Sequence, residues 1–201
     1  MVGPKSHHVY TLGTRTWRPV EAGAASGYEF VLDGHIVCNG NFHWSSYDST
    51  GRRQIFCGFD FETECFSIFS PPPPPHGVVV CGELNVLRDC LCYSYRLDDE
   101  FVIWLMKEYQ VEESWTVEYK LSATDWYTYI LFYPIKVFKD GDILMLLGQM
   151  WLIYYSNKTR TTRQVSMFKD AAAEDYHTSA MIFTPSLFSL KSFGVGNVIS
   201  F

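Results

Sequence analysis

At 201 residues the chain is long enough for one sizeable core, and 47% hydrophobic against 19% charged residues is the balance of a soluble globular domain. The net charge of -6 comes with lysines and arginines that stand singly beside acids, so the basic stripe that a phosphate backbone needs is missing and no nucleic-acid partner is expected. No apolar run reaches the length of a membrane span, and residues 1–8 lack the basic-then-apolar layout of a secretory signal; no membrane partner is expected, and a cytoplasmic or nuclear location is.

The first predicted strand is the alternating His8 to Leu12, followed by a turn at Gly13 to Arg15 and a second strand opened by Trp17. A small-residue loop, Glu21 to Gly27, leads through Phe30 to His35. The next stretch sets the pattern for the whole chain. One strand ends at Asn39-Gly40, another runs from Phe42 to Tyr47, a third ends at Phe59, and the turn Asp60 to Glu64 delivers a fourth around Phe66. Asn and Gly suit such turns because Gly takes positive φ without a steric penalty and Asn bonds its own backbone. Pro71 to Pro75 cannot donate to a ladder and reads as a stiff connector, with a proline-rich ligand as the sharper alternative.

The pattern returns at Leu84 to Leu87, Cys90 to Tyr95, Phe101 to Met106 and Trp115 to Leu121. It returns again at Ile135 to Phe138, Ile143 to Leu147, Met150 to Tyr155 and Thr162 to Phe168. Gly40, Asp89 and Asp140 recur with a period of about fifty, the spacing of kelch-type propeller blades. Each unit is then a four-stranded sheet that must stack on its neighbours, and Trp17, Phe66 and Trp115, early in successive fourth strands, are expected to fill the wedges between blades. Ala171 to Asp175 offers one helical turn, Tyr176 to Phe183 and Leu187 to Leu190 further strand, and residues 191–201 a tail. The expected fold is all-β, an incomplete propeller-like array of about three and a half four-stranded antiparallel blades, in one domain spanning 1–201.

Chemistry is harder to find. The six cysteines lack any Cys-x-x-Cys pair and read as core thiols, and the six histidines lack metal-ligand spacing, so no metal and no cofactor is expected. A dinucleotide fingerprint fails at the C-terminus, where Ile199 stands in place of the third glycine. Asp98, Asp99 and Glu100 are adjacent acids on a hairpin turn, which is a solvated position and a poor one for acid–base work. No catalytic residue is assigned and no enzyme activity is expected. The Asn157-Lys158-Thr159 sequon reads as a turn.

Three segments carry a family likeness. Ile103-Trp104-Leu105-Met106-Lys107-Glu108-Tyr109-Gln110-Val111-Glu112-Glu113-Ser114-Trp115-Thr116 resembles the W-x-M-K-E-Y-x-V-x-x-S-W-T signature of plant F-box-associated domains. Cys57 to Phe66 is similar to the family's F-D-x-x-x-E-x-F segment, and Leu84 to Cys92 to its L-x-V-L-x-G-x-L-C element, with Asp89 in place of the usual glycine. The likeness runs from Val9 to Leu190. It implies a kelch-like recognition domain that picks targets for a Skp1–cullin–F-box ubiquitin ligase. Partners would be a target protein destined for ubiquitination, and a Skp1-type adaptor only if an F-box is supplied elsewhere. The chain opens halfway through a blade, as a truncated product, splice form or fragment would. The alternatives are a carbohydrate-binding or oxidative propeller, and a fragment without function of its own.

A binding surface follows from topology. Turns between second and third strands share a rim with the connections between blades, because antiparallel strands alternate ends. That rim is expected to gather Arg52, Arg53, Asp98, Asp99, Trp126, Tyr127 and Tyr129 as the partner-binding set, aromatic anchors ringed by charge.

Overall fold

The computed structural model describes residues 7–26, 28, 34–47, 53–73, 82–123, 131–148 and 151–165. Over these the chain is a series of antiparallel meanders. β1 (His7–Thr11) and β2 (Thr16–Val20) form a two-stranded half blade. β3 (Ile36–Cys38), β4 (Asn41–Tyr47), β5 (Gln54–Phe59) and β6 (Phe66–Phe69) form the second blade. The third is β7 (Glu83–Leu87), β8 (Cys90–Leu97), β9 (Glu100–Met106) and β10 (Trp115–Ser122). The fourth is β11 (Phe132–Val137), β12 (Ile143–Leu147), β13 (Trp151–Ser156) and β14 (Thr161–Gln164). In each full blade the strands pair in sequence order, so among the described residues the array is three blades and a half, as expected.

The central strands read as near-continuous apolar runs because a blade covers them on both faces. Phe56 and Cys57 on β5, Leu91, Cys92 and Tyr93 on β8, and Phe101, Val102 and Ile103 on β9 are buried in succession. The outer β10 alternates instead, burying Trp115 and Leu121 while Thr116 and Lys120 face water. Three clusters result. Trp44, Ile55 and Cys57 face the half blade; Phe56, Phe69, Tyr93, Met106 and Trp115 fill the seam between the second and third blades; Phe101, Phe132, Met145 and Ile153 fill the next seam.

The repeat of turn residues is real in two of its three echoes. Asn39-Gly40 (φ 50° and 77°) and Arg88-Asp89 (φ 53° and 59°) are two-residue turns with both residues left-handed, the geometry that matches strand twist. The third echo is displaced. The turn from β11 to β12 is longer, its left-handed residue is Gly141 (φ 84°), and Asp140 is not one. β11 also begins three residues earlier than Ile135, passing through Pro134 with a bulge before Lys136, as a proline on an edge strand permits.

The wedge residues need a correction as well. Trp115 is 6% exposed and Phe66 half-buried, but Trp17 is 67% exposed. Trp17 lies on the face of β2 that points away from the second blade, paired in register with Tyr10 and touching its ring, while the opposite face sends Arg18 to Glu64. Among the described residues, no blade stands against that face of the half blade for a large ring to pack on. The helical turn at 171–175 and the strands expected at 176–183 and 187–190 lie outside the described residues.

Candidate functional site: an inter-blade clasp and two rims

The turn between β9 and β10 is built by the family-like string. Lys107 N–H donates to Ser114 O, and Ser114 Oγ bonds the backbone of Glu108 and of Val111, so one hydroxyl closes the loop on itself. That closure sends the turn across onto the second blade. Tyr109 Oη lies 2.9 Å from His43 Nε2 and receives Asn41 Nδ2 (3.1 Å) and Gln110 Nε2 (3.4 Å). The phenol oxygen thus gathers two amide donors and the imidazole at one point between the blades. Gln110 also donates to Ser67 Oγ (3.2 Å), Glu112 Oε1 caps Ser70 N–H (2.8 Å), and Trp115 Nε1 donates to Ser70 O (3.2 Å). The string is a clasp.

His43 is fully buried, and that burial pushes its pKa down to about 4, with the Asn41 backbone opposing the shift. Room for the ring comes from Gly58, its register partner. A Cβ there would stand 2.6 Å from Ser67 Oγ and 3.4 Å from His43 Cδ2. Asn41 ties the clasp to the turn after β5: its Nδ2 also reaches Asp60 Oδ2 (3.3 Å), and its Oδ1 accepts from Phe61 N–H (3.3 Å). Asp60 in turn accepts from the N–H groups of Glu62 and Thr63, bonds that hold its carboxyl below the ordinary range, Thr63 foremost. The turns 60–65 and 107–114 therefore form one rim locked through Asn41.

The opposite rim is laced too. Gln54 is buried at the start of β5, accepts from Tyr93 Oη (2.7 Å) and donates to Gly82 O (2.9 Å), joining the second blade to the entry of the third. Arg96 donates to Asp98 O (2.9 Å) and Ala123 O (3.2 Å) and lies 3.6 Å from Asp99 Oδ1, while Ala123 N–H donates to Asp99 O (2.7 Å). The turn between second and third strands thus sits beside the exit of β10, on the rim that topology assigns to it. Arg53, Asp98 and Asp99 are exposed there; Arg52, Trp126, Tyr127 and Tyr129 lie outside the described residues.

Other polar groups close turns and strand ends. Asp142 caps Asn157 N–H (2.7 Å) and accepts from Tyr154 Oη, which lowers its pKa, the Tyr154 bond first. The five described cysteines are free thiols; burial raises Cys38 to about 11 and Cys57 to about 12. Among the described residues, no three His, Cys, Asp or Glu side chains converge as a metal would require. Glu118, the extra residue of a bulge in β10, is held by Arg88 (2.8 Å) and Lys107 (2.6 Å), which depress its pKa, Lys107 chiefly. Sequence reasoning missed Asn41, His43 and Gln54, polar residues on strands with no local mark. Tyr109 and Ser114 were visible only as letters of a signature.

Comparison with known proteins bears on what this scaffold is. The chain is 29% identical over 181 residues to the F-box protein CPR1 of Arabidopsis thaliana, covering 80% of this chain and 43% of that protein. It is 30% identical over 134 residues to the F-box protein At3g07870 of Arabidopsis thaliana, covering 57% of this chain and 29% of that protein. It spans less than half the length of these curated relatives. The family profile described as the F-box associated beta propeller domain matches residues 3–190. With stacked four-stranded blades, a clasp made of the signature string and a match over almost its whole length, this chain belongs to the F-box associated β-propeller domain family.

Proposed function

We propose that the chain is a non-enzymatic protein-recognition domain that selects targets for a Skp1–cullin–F-box ubiquitin ligase, acting in the cytoplasm or nucleus. A Skp1-type adaptor is engaged only through an F-box supplied elsewhere. The observation that carries this reading is the family membership of a scaffold whose buried polar groups serve to lock blades together and leave turns displayed on two rims. A rigid scaffold with displayed turns is what binding loops require. On the rim of Arg53, Asp98 and Asp99, together with Arg52, Trp126, Tyr127 and Tyr129, the proposed contact is with the target protein.

The test is capture of interacting proteins from plant extract by the full chain and by an Arg52→Ala, Trp126→Ala variant, with each captured protein assayed for ligase-dependent loss in cells. The expected result is a specific set of proteins that the variant recovers poorly. Equal recovery by the variant removes this rim, and captured proteins whose levels ignore ligase inhibition remove the ligase role.

A further inference from the structure

Each of the first three third-to-fourth-strand turns exposes one large apolar side chain at its tip: Leu12 (60% exposed), Phe61 (47%) and Val111 (39%). Adjacent turns are physically joined. Arg18 reaches Glu64 from the half blade, and Asn41 bridges Asp60 and Tyr109 between the second and third. The tips thus form a row on one side of the molecule, opposite the rim of Arg53 and Asp99. Phe61 rests one side of its ring on Phe42 and Phe59 and turns the rest to water, while Val111 stands exposed on a loop that Ser114 closes without it.

The same two turns, 60–65 and 107–114, carry six carboxylates against a single lysine. That lysine is taken by Glu118. Among the described residues, Glu64 is matched by Arg18 and Glu112 is committed to Ser70 N–H, but Glu62, Glu108 and Glu113 have no cationic partner. Most of the net charge of -6 is therefore concentrated where apolar side chains stand in water. Uncompensated like charge beside exposed apolar surface favours a partner of opposite charge with apolar residues of its own.

We infer that this rim is a second docking surface, and that its occupant is a lysine- or arginine-rich polypeptide segment bearing apolar anchors for the Phe61 and Val111 tips. The inference rests on the recognition reading and specifies the chemistry of the target. Apolar contact at the tips supplies dwell time, and Glu62, Glu108 and Glu113 supply attraction that salt screens.

The test is panning of a random-sequence displayed-peptide library on the full chain. Recovered peptides are then measured against three variants: Phe61→Ala with Val111→Ala; Glu62→Gln with Glu108→Gln and Glu113→Gln; and Asp98→Asn with Asp99→Asn. Unchanged thermal unfolding of each variant confirms an intact fold. The expected peptides are basic and apolar, weaken by about tenfold or more on each of the first two variants, ignore the third, and bind less tightly as salt rises. Acidic or uncharged binders, or basic ones indifferent to the first two variants, overturn the surface. Binders lost only on the third variant overturn it while leaving the recognition reading intact. A library that yields no binder overturns both.

Discussion

A hydrogen bond of 2.9 Å joins the phenol of Tyr109, on the third blade, to Nε2 of His43, on the second. His43 is fully buried and Tyr109 half-buried, so breaking the contact strands a buried ring nitrogen, and the cost is that of desolvation as well as a lost bond. Tyr109→Phe is expected to lower stability by about 1–3 kcal/mol. Chemical denaturation of wild type, Tyr109→Phe, His43→Phe and the double variant checks it. The double variant should be less damaged than the singles sum to, because it removes both ends of the bond together.

Acid should loosen the same seam. The folded pKa of His43 is depressed to about 4 by burial, against about 6.5 for a free imidazole, so the native state holds it neutral. Its contribution is fully present above about pH 6.5. As pH falls from there the unfolded chain takes up a proton that the folded chain refuses, and the contribution is lost by about pH 4. The loss is on the order of 2–3 kcal/mol. Unfolding free energy measured between neutral pH and pH 4 should decline more steeply in wild type than in His43→Phe.

Asp89 occupies a left-handed position, φ 59°, in the tight turn between β7 and β8, where the family pattern has glycine. A side chain is strained there and glycine is not. Asp89→Gly is expected to stabilise the chain by up to about 1 kcal/mol, a rise in unfolding temperature of about 2–4 °C for a chain of this size. Calorimetry that shows a fall would contradict the turn assignment.

Trp115 closes the seam that Tyr109 clasps: it is 6% exposed, packs against Phe56 and donates to Ser70 O. Trp115→Ala removes the ring and leaves a cavity, with an expected cost of about 3–5 kcal/mol. Trp17→Ala, at the equivalent place in the half blade but in water, should change stability by less than about 0.5 kcal/mol. Paired denaturation curves for the two variants distinguish a buried wedge from an exposed ring.

The blades were legible because their information is local. Asn39-Gly40 and the period-two runs around Phe56 and Tyr93 announce turn and strand wherever they occur. Trp17 was misplaced for the opposite reason: its register position matches that of Trp115, but burial depends on what stands across the seam. The clasp was beyond local inference, since Asn41 and His43 on β4 lie 68 and 66 residues from Tyr109, and nothing in the strand or the turn marks the contact. The rim expected from topology does share an edge with the blade connections, as Ala123 and Asp99 show. The row of Leu12, Phe61 and Val111 on the other rim came into view only once their exposure was known.

The central claim is that the clasp holds turns 60–65 and 107–114 together as a surface for a basic target. The most direct measurement is amide hydrogen exchange of the full chain with and without the tightest basic peptide recovered by panning. The account predicts slowed exchange in both turns together, and loss of that joint protection in Tyr109→Phe. Protection confined to the turn of Asp98 and Asp99, with both clasp turns unchanged, would contradict it.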